Sequence, residues 1–182
     1  MSGSGQSTFQ PIFPELTTHL SAISPGTTAL SLTKLLPALF PEFVRDTAQW
    51  TRRLLELLPS LTHLGLSYVY PKEPDQNEVE EDIRVYEVLL RTVSTCQTPC
   101  VQVTALRLTG RAVTRLDAYV NAARRIDEDW AMRRVRFWVD ERVIEDWTVE
   151  RELLIDDARL ERSIWTEAKP LSLYVVAAIA AT

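Results

Sequence analysis

LPSLTHLGLSYVYP, residues 58–71, decides how this chain is to be read. Leu64, Leu66 and Tyr68 alternate with Gly65 and Ser67, the period of two by which a strand buries one face. The same stretch holds His63, one of only 2 histidines in the chain. That histidine is either a group placed for chemistry or one position of a repeated strand, and the flanking sequence bears on which.

Three segments share one word. TALSL (28–32), THLGL (62–66) and TALRL (104–108) all read Thr-x-Leu-x-Leu, at offsets of 34 and 42 residues. Each gap holds one helical pattern. In residues 42–57, Phe43, Val44, Trp50, Leu54 and Leu55 recur at three-to-four spacing until Pro59 stops the helix. In the second gap an acidic loop, PKEPDQNEVEED (71–82), leads into a stripe of Val79, Ile83, Tyr86, Leu90 and Val93. Acidic residues crowd the start of that helix, where its dipole favours them. A third helix is expected near residues 111–127, with Val113, Leu116, Val120, Ala123 and Ile126 on one face. RRVRFWVDE (133–141) reads as a fourth strand, burying Val135, Phe137 and Val139. Further helical patterns follow near 141–153 and 157–168. The apolar tail LSLYVVAAIAAT (171–182) reads as a last strand or packed tail.

Strand, helix, strand in repetition calls for parallel neighbours joined by crossovers. The expected fold is therefore α/β: a short parallel sheet with helical crossovers, leucine-rich-repeat-like and closed by C-terminal helices. Residues 1–8, MSGSGQST, are expected to be disordered, and residues 9–182 to form a single domain. Within the sheet the leucines face the helices. The intervening residues face the open side, giving Ser31, His63, Arg107, Arg136 and Trp138 as candidate partner contacts; the alternative for Trp138 is a ring covered by the C-terminal helices.

LPSLTHLGL also resembles the strand entry of fungal, mostly mushroom-type, leucine-rich-repeat proteins, in which leucine-proline, two residues and threonine-histidine-leucine follow in order. Many of those proteins are F-box-like. FPELTTHL (13–20) is a weaker copy with one extra residue. The resemblance covers roughly residues 13–140 and implies a protein-recognition module. Three features depart from that pattern. The offsets exceed the 20–29 residues of regular leucine-rich repeats; Leu35, Val69 and Arg111 stand where a closing asparagine is usual; and no F-box precedes the first strand.

Familiar catalytic signatures are missing. The 5 glycines form neither a P-loop nor a dinucleotide fingerprint, and no Gly-x-Ser-x-Gly elbow occurs. Cys96 and Cys100 lack a second ligand pair of zinc-site spacing. The carboxylate clusters at 127–129, 140–141, 145–146 and 156–157 mostly sit where helix starts explain them. Five arginines (Arg107, Arg111, Arg115, Arg124, Arg125) face Asp117 alone between residues 101 and 126. They read as solvated helix faces rather than a binding patch.

The net charge of −5 gives no general pull towards nucleic acid or anionic lipid. No apolar run reaches the roughly 18 residues of a membrane helix. Two cysteines without a signal peptide point to a reducing compartment, cytoplasm or nucleus. The expected function is non-enzymatic recognition of a protein partner, with homodimerisation open and no cofactor, metal or catalytic residue assigned. The alternative is a small α/β enzyme, a hydrolase or transferase, with a pocket at the strand ends.

Overall fold

The computed structural model describes residues 26–33, 46–70, 76–96, 101–142 and 163–180. Within them lies one five-stranded sheet whose spatial order follows the chain: β1 (Ala29–Thr33), β2 (His63–Tyr70), β3 (Val103–Gly110), β4 (Val135–Asp140) and β5 (Lys169–Pro170). β1 to β4 are parallel, and β5 pairs antiparallel with β4. The crossovers carry α1 (Thr47–Leu57), α2 (Gln76–Thr95) and, between β3 and β4, a 3-10 turn (Arg111–Arg115), α3 (Leu116–Ile126) and α4 (Glu128–Arg134). Two helices follow, α5 (Ile164–Glu167) and α6 (Leu171–Ala180).

The alternation of leucines in the strands sets one face against the helices. Leu64, Leu66, Leu106, Leu108, Val135 and Phe137 share a single buried cluster with Trp50 and Leu54 of α1, Tyr86 and Leu90 of α2, and Ala123 of α3. Burial of each such leucine stabilises the fold by about 1.5–3 kcal/mol. A chain of aromatic contacts links the elements: Tyr68 stacks on Tyr119 at 5.4 Å, Tyr119 meets Tyr86 at 5.5 Å, Tyr86 meets Phe137 at 6.5 Å, and Phe137 meets Tyr174 at 5.7 Å. The Tyr174 hydroxyl also donates to the Phe137 carbonyl at 2.9 Å, fastening α6 to β4.

Local signals explain several boundaries. The Asp46 carboxylate accepts from Gln49 N and starts α1. Asp127 does the same for α4 through Trp130 N at 2.9 Å. Gly110 ends β3 at φ 64 and ψ −132, a conformation open to glycine and costly for residues with a Cβ.

The register refines the repeat. Ala29 lies beside His63, 34 residues on, so the first two Thr-x-Leu-x-Leu words are aligned. His63, however, lies beside Val103, 40 residues on, and Leu64 beside Thr104. The third word is slid by one pleat. A slip of two residues keeps every side chain on its face, which is why the pattern of faces survives it.

Two other expectations change. The third helix opens as a 3-10 turn, and its deepest residues include Ala112, Tyr119 and Ala122 rather than only the expected stripe. Of the two expectations for the tail the strand falls: residues 171–180 form a helix that packs on the core through Leu171 and Val175; leucine and alanine favour it, and Pro170 just ahead of Leu171 suits a helix start. The helix expected at 141–153, the leading part of that at 157–168, residues 1–25, Leu35, Phe43, Val44 and Cys100 lie outside the described residues.

Candidate functional site

The face of the sheet turned away from α1 to α4 carries the candidate residues, at two levels along the strands. The first is the entry of β2. The Thr28 carbonyl accepts from Thr62 N at 2.8 Å and His63 N at 3.0 Å, and the Thr62 carbonyl in turn accepts from Gln102 N at 2.7 Å and Val103 N at 3.1 Å. Each strand entry is thus pinned by the residue before its neighbour. The Thr62 hydroxyl also reaches Thr28 O at 3.0 Å and lies 2.8 Å from His63 Nδ1.

The His63 ring is half-buried and meets the Trp165 ring edge-on, 5.5 Å between centroids at 81°. Trp165 belongs to α5, whose start is fixed by a reciprocal pair. Ser163 Oγ accepts from Thr166 N, while Thr166 Oγ1 accepts from Ser163 N. Ile164 and Ala168 seat this turn on Ala105 and Trp138 in a small apolar cluster. Arg136 is half-buried on the same face, in register with Ala105 and Pro170.

The second level is the C-terminal end of β3 and β4. Arg107 Nη2 donates to Asp140 Oδ2 at 2.7 Å and its Nε at 3.2 Å. Arg142 Nε donates to Asp140 Oδ1 at 2.7 Å and its Nη2 to Oδ2 at 2.6 Å. The Arg107 guanidinium lies 4.1 Å over the Trp138 ring. Residue exposures of 7% for Arg107, 4% for Trp138 and 3% for Asp140 put this knot inside the protein. Burial pushes the Asp140 carboxyl up, but the hydrogen bonds and charges of Arg142 and Arg107 outweigh it and hold its pKa below the usual value of 3.8. An aspartate so held is a poor general base. Thr109, beside Asp140 in the register, is fully buried and its hydroxyl has no hydrogen-bond partner among the described residues.

The five candidates therefore divide. His63, Arg107, Arg136 and Trp138 lie on one face by strand parity, and Ser31 falls on it by register with Gly65; the Ser31 side chain lies outside the described part of the structure. The expectation that this face is open throughout is corrected for Arg107 and Trp138. Their charge and ring are buried by Asp140, by each other and by α5. His63 and Arg136 remain half-exposed, on strands separated by β3.

Sequence reasoning named Asp140 only within a carboxylate pair assigned to a helix start; it did not single out Arg142 or connect Trp165 with His63. The pairing of Asp140 was within reach, because it follows Arg136 and Trp138 at the strand period. The Trp165–His63 contact carried no local signal. Among the expected basic residues, Arg124 pairs with Glu128 at 2.8 Å and Arg125 with Glu87 at 3.2 Å.

Among the described residues no group of three or more His, Cys, Asp or Glu side chains is arranged to hold a metal, and no helix is long and apolar enough to cross a membrane. No protein-family model matches the chain, and no characterised protein or solved structure is significantly similar to it.

Proposed function

We propose that the chain is a protein-recognition module of leucine-rich-repeat-like design that contacts its partner through the entry end of the second sheet face. The observation that carries this reading is the division of that face. At the strand ends, charge is spent internally on the Arg107–Asp140–Arg142 knot. At the strand entries, an imidazole, an indole and a guanidinium (His63, Trp165 and Arg136) are half-exposed on strands and a capped turn. Tryptophan and arginine are prominent at binding hot spots, and contacts mounted on rigid elements lose little entropy on binding.

The test is capture from a native extract on the immobilised full chain. Wild type is compared with His63→Ala/Arg136→Ala and with Glu56→Ala as a surface control. The reading expects a saturable partner that wild type and Glu56→Ala retain and the double variant loses, with an unchanged melting midpoint. A partner retained equally by the double variant, or no specific partner, would contradict it.

A further inference from the structure

We infer that His63 is held as its Nδ1–H tautomer and offers the Nε2 lone pair to an N–H or O–H donor of the partner. The second half of this inference rests on the recognition reading; the first half stands on the geometry alone.

The Thr62 hydroxyl has one hydrogen and two close neighbours, Thr28 O at 3.0 Å and His63 Nδ1 at 2.8 Å. A carbonyl oxygen only accepts. If the hydroxyl turned its hydrogen to Nδ1, two oxygens would face each other at 3.0 Å with no hydrogen between them. Directing it to Thr28 O makes both contacts hydrogen bonds, and then the hydrogen between Thr62 and His63 must sit on Nδ1. The Thr28 carbonyl is fixed by the ladder, because it also takes the backbone N–H groups of Thr62 and His63; the hydroxyl is thus a third donor sharing that oxygen, and the tautomer follows from its donating there. The relay therefore starts from the sheet ladder and ends at the imidazole.

A neutral imidazole with its hydrogen on Nδ1 is an acceptor at Nε2. Histidines that bind or ligate are commonly oriented in this way, with one ring nitrogen tied to a protein oxygen and the other presented. Here the ring is also braced by Trp165. Its half-burial leaves it within reach of a partner. The chemistry selected is an amide, guanidinium, ammonium or hydroxyl; a carboxylate or carbonyl would meet the lone pair unfavourably. His63 is then a specificity-determining residue of the recognition face, oriented by Thr62 as a positioning residue.

The experiment is long-range 15N–1H correlation NMR on the 15N-labelled full chain, at a pH where the ring is neutral. With 2 histidines in the sequence, His19→Phe and His63→Phe assign the signals. The expected spectrum shows His63 protonated at Nδ1 and bare at Nε2; protonation at Nε2 overturns the inference. Thr62→Val keeps the shape and removes the hydroxyl, so it should move His63 towards the other tautomer, and Thr62→Ser should restore it. An unchanged tautomer in Thr62→Val, with the backbone spectrum preserved, also overturns it.

In the capture experiment, His63→Phe keeps an aromatic ring without an acceptor and should reduce partner retention at least tenfold. If wild type retains a partner that His63→Phe retains equally, the acceptor role falls while recognition stands. If the tautomer is as expected but no partner is captured, the recognition reading falls and with it the acceptor role; the tautomer assignment alone survives.

Discussion

The two faces of the sheet are built on opposite principles. The helix side is an apolar interior in which leucines and aromatics interlock; the Tyr68 and Tyr174 hydroxyls that enter it donate to the Asp82 and Phe137 carbonyls, while two other phenols there are idle. Tyr86 and Tyr119 are fully buried, yet their hydroxyls have no hydrogen-bond partner among the described residues. Burial alone pushes the Tyr86 phenol up, and for Tyr119 burial comes ahead of the nearby Tyr68, Asp82 and Tyr86. The opposite side is held chiefly by engaged polar contacts, Arg107 and Arg142 on Asp140 and Thr62 on His63, with the buried Thr109 hydroxyl as the exception. Area therefore governs the first face and pairing governs the second, so equal-sized substitutions should have unequal effects.

The largest effects belong to truncation on the helix side. Phe137→Ala should destabilise by about 3–5 kcal/mol and Leu106→Ala by about 2–5 kcal/mol, read by denaturant unfolding. A loss under about 1 kcal/mol at either site would mean that this core is not closely packed.

Comparable losses should follow on the second face from one charge. Asp140→Ala leaves Arg107 buried beside Arg142, and removing one partner of a buried pair costs about 3–5 kcal/mol. The pH dependence has a definite sign. Because the folded Asp140 carboxyl titrates below its unfolded value, its contribution is fully present above about pH 4 and is lost as pH falls through the lowered folded value. Wild type should therefore lose stability more steeply than Asp140→Asn as pH drops below about 4. Parallel acid titrations of the two would show that the knot is not where the chain stores acid-sensitive stability.

These contrasts also explain what could be read from the residues. The helix side was legible because periods of two and three to four mark which residues are buried, and Leu64, Leu106 and Phe137 obey them. The register of β3 was not legible: parity tells a face, but a slip of two residues leaves parity intact, and the crossover geometry decides between the two. On the second face, alternation placed Arg107 and Trp138 on the correct side. It left open whether C-terminal helices cover Trp138 and could not say that Arg107 is paired, because Asp140 is 33 positions from Arg107 and the covering turn lies still later in the chain. His63 was readable as a strand position. Its orientation depends on a carbonyl 35 positions earlier, which only the β1–β2 pairing brings close.

A smaller effect with an informative sign comes from the idle phenols. Tyr86→Phe or Tyr119→Phe removes a buried hydroxyl without a partner. Stability should stay the same or rise by up to about 1 kcal/mol, since the desolvation penalty goes with the hydroxyl. A loss of more than about 1 kcal/mol would mean that these hydroxyls do bond and that the contrast between faces is overdrawn. The least effect is expected at the surface, where Arg124→Ala breaks an exposed pair with Glu128. Its change in unfolding free energy should stay below about 0.5 kcal/mol and shrink further in high salt.

The second face is divided between a buried Arg107–Asp140–Arg142 knot and a half-exposed entry, and the proposed recognition rests on the entry. The most direct test measures partner retention by His63→Phe/Arg136→Ala in a preparation whose melting midpoint has been recorded. If the proposed recognition holds, a partner captured by wild type is lost from this variant while its midpoint stays within about 4 °C of wild type, equivalent to about 1 kcal/mol for a chain of this size. Full retention of the partner by this folded variant would contradict it.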